Sequence, residues 1–187
     1  MRRVNPSFLL PFVLMLLAAP SGAQQTAPLR NPDVIFVPTP PAVVDAMLKL
    51  AEVRAGDVLY DLGCGDGQIV IGAARQYGIR AVGIDIDPQR IAEARANAAK
   101  AGVTNLVTFR NEDMFEADIK EATVVALYLL TSLNVKLRPK LLSELKPGTR
   151  VVSQTFDMGD WEPEKREQAD YHSLFLWRIP EKPPQKK

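Results

Sequence analysis

An aspartate followed by three glycines at alternate positions, Asp61-x-Gly63-x-Gly65-x-Gly67, is the part of this sequence with the clearest chemical use. Glycine has no Cβ, so the backbone turns sharply at these positions and a ligand can press against the main chain. Two more acids, Asp85 and Asp113, stand at the ends of the next two strand-like segments. A carboxylate placed like Asp85 can accept two hydrogen bonds from the vicinal hydroxyls of a ribose. The glycine spacing differs from the Gly-x-Gly-x-x-Gly of a dinucleotide loop, where a pyrophosphate takes amide donors from a helix start. An acid inside the loop, Asp61 or Asp66, instead suits a ligand that lacks phosphate and carries a cationic centre.

These residues need elements that bring them together. The apolar run Val58-Leu59-Tyr60 reads as a strand leading into the glycine loop, and residues 68–77 read as a helix stopped by Gly78. Residues 80–86 form the next strand, after which Asp87 and Pro88 serve as N-cap and first turn of an Ala-rich helix ending before Gly102. Strands follow at 104–110 and 123–130, the latter almost wholly apolar and therefore buried on both faces. Leucines at helical spacing mark 133–145, with a break expected at Pro139. Further strands are read at 149–156 and 173–179. Strands alternating with helices predict one Rossmann-like α/β domain, mainly a parallel sheet covered on both faces. Asp61, Asp85 and Asp113 then all fall at strand C-terminal ends, where open α/β sheets bind ligands.

The ordered set resembles motif I and the following motifs of class I methyltransferases dependent on S-adenosylmethionine (SAM). Further segments carry a narrower resemblance: Val37-Pro38-Thr39-Pro40, Gly83-Ile84-Asp85-Ile86-Asp87-Pro88, Leu137-Arg138-Pro139-Lys140-Leu141-Leu142 and Phe156-Asp157-Met158-Gly159-Asp160-Trp161. They are similar to a small bacterial and mitochondrial family of protein-lysine methyltransferases, whose mitochondrial members act on the ATP synthase c-subunit and the adenine nucleotide translocase. The resemblance runs over residues 36–180. It implies SAM as cofactor, a transferred methyl group, and a protein lysine or small amine as acceptor.

It also assigns residues. Asp61, Gly63, Cys64, Gly65 and Gly67 make the cofactor loop, Asp85 is the ribose ligand, and Asp113 meets the adenine amino group. Either Met114 and Phe115, or Ile86 behind Asp85, cover the adenine faces. Thr39 either closes over the methionine part of the cofactor or caps the helix after it. Asp113 also has a structural reading as the cap of a turn, and Asp87 is read as the helix N-cap. On the acceptor side Tyr128 either lines an amine channel or is a core tyrosine, and Asp157 and Trp161 are weaker candidates. His172 is read as structural or surface. Residues 156–173 lack an apolar-periodic helix, so the usual helix after the fifth strand, either alone or with one strand of the terminal hairpin, is expected to be short or missing.

Composition narrows the classes. The chain has 187 residues, 47% hydrophobic, enough for one domain with a full core. Twenty-three basic against 22 acidic side chains leave a net charge of +1 without a basic stripe, so no nucleic-acid partner is expected. Cys64 is the sole cysteine and His172 the sole histidine, so neither an intramolecular disulfide nor a metal site is expected. Arg2 and Arg3, an apolar stretch over 8–19 and Ser21-Gly22-Ala23 match a signal peptide or an N-terminal anchor over 1–23. Export to the periplasm or anchoring to the membrane is the expectation from that segment. Residues 24–41 then form an extended arm, 42–180 the methyltransferase domain and 181–187 a flexible tail. A non-catalytic SAM- or nucleoside-binding module of the envelope is the competing reading, and an NAD-dependent oxidoreductase is opposed by the loop spacing.

Overall fold

Val124, Val125, Ala126 and Leu127 have no polar side chain between them, so a strand built from them must be covered on both faces. The computed structural model, which describes Met1 and residues 31–181, places it at the centre of a sheet. In chain order the elements are α1 (Pro41–Leu50), β1 (Val58–Leu62), α2 (Gln68–Tyr77), β2 (Arg80–Asp85), α3 (Pro88–Ala101), β3 (Val107–Asn111), β4 (Val124–Leu127), α4 (Thr131–Glu144), β5 (Arg150–Gln154), β6 (Lys165–Ala169) and β7 (His172–Arg178). Seven strands run in the order β3-β2-β1-β4-β5-β7-β6. The first five are mutually parallel, and β7 is antiparallel to both β5 and β6.

The pleat divides the core into two layers. From β4, Val124 and Ala126 join the cluster that packs against α1, α2 and α3, while Val125 and Leu127 join the one that holds Leu133, Leu137 and Leu141 of α4. Successive side chains of a strand point to opposite faces, so one apolar run serves both layers. At the edge remote from the glycine loop, the buried Arg150 pairs with Asp57 and also donates to the carbonyls of Ala51 (3.2 Å) and Glu52 (2.8 Å). Thr123 donates to the same Asp57 carboxylate at 2.7 Å, so this charged group has several partners.

Two expectations are corrected. Helix α4 runs through Pro139 without a break. A proline frees the carbonyl four residues earlier, here that of solvent-exposed Val135, while Leu133, Leu137 and Leu141 stay packed in the core. The terminal hairpin is complete: β6 forms although its sequence, Lys-Arg-Glu-Gln-Ala, has no apolar alternation. It is the sheet's outer strand, and a charged edge strand guards against pairing with other chains. Met114, predicted only as an adenine cover, belongs to the core cluster as well.

The missing helix after β5 is as expected: residues 155–164 contain none. Trp161 and Trp177 fill that place, with ring centroids 6.0 Å apart and the Trp177 indole N–H donating to the Trp161 carbonyl at 2.7 Å. Trp161 is therefore a packing residue. Among the described residues no helix is long and apolar enough to cross a membrane. The segment 8–19 and the tail from 182 onward lie outside the described residues.

Candidate active site

The glycine loop leaves the C-terminal end of β1 and folds back beside β2. The amides of Gly63 and Cys64 both donate to the Ile84 carbonyl, at 2.8 and 3.0 Å. Gly63, Gly65 and Gly67 have φ values of 85°, 51° and 86°, a left-handed run that side-chain-bearing residues adopt at a cost. Gly67 then becomes the N-cap of α2.

The loop walls a cavity of about 580 Å3, within the size range of small-molecule sites. Its lining contains Thr39, Asp61, Gly63, Cys64, Gly65, Asp85, Ile86, Asp113, Met114 and Tyr128, so these separately predicted residues meet in one place. Gly67 does not line it. A Cβ there would lie 2.9 Å from the Phe109 ring and 3.1 Å from Ala94, so this glycine lets α2 start against β3 and α3. Asp157 and Trp161 are also outside the lining. Asp157 instead accepts from the Thr131 hydroxyl at 3.1 Å and the Gly159 amide at 3.2 Å.

Asp85 has a second task that its sequence position does not disclose. One carboxylate oxygen accepts from the Gly65 amide at 2.8 Å and the other from the Asp87 amide at 2.9 Å, which ties the glycine loop to the end of β2. Asp87 caps α3 by accepting from the Gln89 amide at 2.8 Å. Asp113 combines both of its readings: it lines the cavity and accepts from the Phe115 amide at 3.0 Å in a turn. Asn111 braces the same floor by donating to the carbonyls of Asp85 and Ile86.

Asp61 is 2% exposed, and burial pushes its pKa up to about 8, reinforced by the nearby Asp85 and Asp66 carboxylates. A cation placed in the cavity beside this group would favour its charged form and lower that pKa. The Cys64 thiol is also raised by burial and by the Asp61 carboxylate, so it is not a nucleophile. A Cβ on Gly83 would lie 2.7 Å from its sulfur, so the small residue on β2 makes room for Cys64.

Several lining residues gave no signal in the sequence. Phe36 packs onto the loop, where a Cβ on Gly65 would come within 2.3 Å of its ring, and Arg90 sits 4.8 Å from the ring centroid on α3. Residues 32–37 thus make one wall of the cavity. Thr39 does not cap α1. It is buried and donates to Gln154 at 2.9 Å, fixing the arm to the end of β5. At the far end Tyr128 stacks on Phe156 with centroids 6.3 Å apart and meets the His172 ring edge-on at 6.4 Å. His172, read as structural or surface, is therefore next to the site.

Known proteins match this chain in sequence and in fold. The ANTKMT methyltransferase domain model matches residues 61–165. The chain belongs to this family. A protein-lysine N-methyltransferase of Saccharolobus islandicus is 48% identical over 155 residues, covering 80% of this chain and 96% of that protein. The adenine nucleotide translocase lysine N-methyltransferase of Mus musculus is 36% identical over 137 residues, and the chain spans 58% of its length. A crystal structure described as an RNA methyltransferase from Salinibacter ruber with S-adenosyl-L-homocysteine superposes with a TM-score of 0.78. It is 58% identical and covers 80% of this chain and 98% of its own. This family member is a SAM-dependent methyltransferase with the class I fold.

The expected export or membrane anchoring is corrected. Among the described residues no helix is long and apolar enough to cross a membrane, and residues 2–23, on which that expectation rested, lie outside them.

Proposed function

We propose that this methyltransferase transfers the methyl group of SAM to the amine of a protein lysine. The observation that carries this reading is the charge of the cavity lining, in which, among the described residues, seven acidic side chains face one guanidinium, that of Arg90. Such a lining favours a cationic acceptor side chain on approach. An RNA acceptor, named for the Salinibacter ruber relative, would bring phosphates that need Lys and Arg partners against that acidic surface.

Within this proposal Asp61 faces the cationic part of the cofactor, Asp85 takes the ribose hydroxyls, and Asp113 with Ile86 and Met114 holds the adenine. Gly63, Cys64 and Gly65 let the cofactor lie against the backbone, and Thr39 closes the methionine end. SAM supplies an electrophilic methyl group on a sulfonium. The protein must then hold the nucleophile in line and keep water out, so positioning supplies much of the rate. A lysine amine, with an ordinary pKa of about 10.4, must first lose its proton. Leu129, Leu130, Leu133, Tyr128 and Phe156 line the acceptor end, and an apolar channel favours the neutral amine by desolvation.

Incubating the protein with methyl-labelled SAM and a cell extract tests the acceptor. Label is expected in protein and, after acid hydrolysis, in methylated lysine. Label confined to ribonuclease-sensitive material would sink the lysine reading.

Asp85→Ala is expected to weaken SAM binding by about 1.5–3 kcal/mol, the worth of a charge-assisted pair, and more if the Gly65 anchor is lost with it. Asp87→Ala is expected to cost about 1 kcal/mol of stability and little affinity. Calorimetric titration and urea unfolding of both variants separate the two effects. Equal losses of affinity would place the ribose on the wrong carboxylate.

A further inference from the structure

Gln154 is fully buried at the end of β5, and both ends of its side-chain amide have partners. Its oxygen accepts from the Thr39 hydroxyl at 2.9 Å, and its nitrogen lies 3.3 Å from His172 Nδ1. The Thr155 hydroxyl reaches the same Nδ1 at 3.1 Å. Two donors converging on Nδ1 make that atom the acceptor and place the ring proton of neutral His172 on Nε2. The opposite face of this unit is the edge-on contact of the His172 ring with Tyr128. One connected set of side chains therefore runs from the arm beside the cofactor cavity to the aromatic pair at its acceptor end.

We propose that Gln154 and His172, neither of which lines the cavity, are positioning residues for methyl transfer, holding Thr39 at the cofactor through hydrogen bonds and Tyr128 at the acceptor through the His172 ring. The backbone supports this. Thr155 has φ 67°, a left-handed conformation uncommon for a β-branched residue, and its amide donates to the Ser173 carbonyl at 2.6 Å. Strained backbone of this kind persists where its surroundings hold it and is concentrated at functional sites. Here the kink turns the Thr155 hydroxyl to His172 and the next side chain, Phe156, onto Tyr128. A buried amide that loses one partner has no water to replace it, so a change at His172 is felt at Thr39.

The proposal rests on SAM as cofactor and not on lysine as acceptor, so it can be tested without turnover. SAM affinity is measured by calorimetric titration for wild type, Thr39→Val, His172→Phe, His172→Asn, His172→Gln and the double variant T39V/H172F, with a melting curve for each. Phenylalanine keeps an aromatic edge beside Tyr128 but accepts no hydrogen bond, and H172F is expected to weaken SAM about five- to tenfold. Asparagine sets a carbonyl oxygen near the former Nδ1 and should restore binding to within about twofold, while the longer glutamine should not. T39V/H172F should bind about as well as the weaker single variant, because residues of one network are not additive. H172F or H172Q folded and binding like wild type, H172N as weak as H172F, or multiplying losses in the double variant would each overturn the proposal. If H172F does not melt as a native protein, the Asn and Gln pair decides alone. A wild-type protein that fails to bind SAM would overturn the cofactor reading and the proposal together.

Discussion

Gly65→Val is expected to abolish SAM binding and leave a folded domain. Two effects add at this position. A Cβ at Gly65 would come within 2.3 Å of the Phe36 ring, so the side chain must displace the arm that walls the cavity. The residue also sits at φ 51°, where a β-branched side chain is strained by roughly 1–2 kcal/mol. Its amide is the donor that ties the loop to Asp85, so a shift of the loop also moves the proposed ribose ligand. The expected loss of affinity is at least about a hundredfold, or roughly 2.7 kcal/mol. Loop strain lies at the ligand face while the two core layers are untouched, so the melting transition should remain cooperative. A folded variant that titrates with SAM like wild type would show that the cofactor does not lie against this loop.

The second large effect concerns Asp61. Its pKa of about 8 in the free protein means that it is mostly protonated at neutral pH. Binding a cation beside the carboxylate lowers that pKa, so SAM binding releases a proton. Affinity should therefore rise with pH by up to about tenfold per unit below pH 8 and level off above it. Asp61→Asn removes the charge at nearly constant volume. It should weaken SAM by about 2–5 kcal/mol at pH 8 and above, where the carboxylate would otherwise face the cation. Its binding should lack the Asp61 contribution to the pH slope. Stability of the free protein moves the other way. The native state keeps a proton that the unfolded chain gives up near its ordinary value of 3.8, so this group lowers wild-type stability as pH climbs from about 4 to 8. The free D61N variant should then be the more stable one at pH 8. Titrations and urea unfolding between pH 6 and 9 check both signs, and an unchanged pH slope in D61N would remove Asp61 from the cofactor site.

Side-chain types and their spacing along the chain were enough for the fold class, the glycine loop and the acids at the strand ends. Apolar periodicity reports which faces are buried, and β1, β2 and β4 are buried strands whose carboxyl ends carry the loop, Asp85 and Tyr128. The resemblance to a methyltransferase family added the cofactor and its contacts. What periodicity could not report is β6, whose burial pattern is exposed along four of its five residues because it lies at the sheet edge. Nor could it show that a helix continues past Pro139, since the packing of α4 outweighs one lost hydrogen bond.

The site itself divides along the same line. Asp61, Gly65 and Asp85 were legible because their chemistry depends on local spacing and on strand ends. The contacts that join Thr39, Gln154 and His172 were not, because Thr39 and Gln154 are 115 residues apart and Gln154 and His172 are 18 apart. Spacing along the chain does not report such pairings, and only the pairing of β5 with β7 and the return of the arm over β5 put these polar atoms within hydrogen-bond reach. The role of a polar side chain in a folded protein is set by which partners replace water, and distant strands decide those partners. Local sequence determined the cofactor loop, and tertiary structure decided what holds the acceptor end of the cavity in register with it.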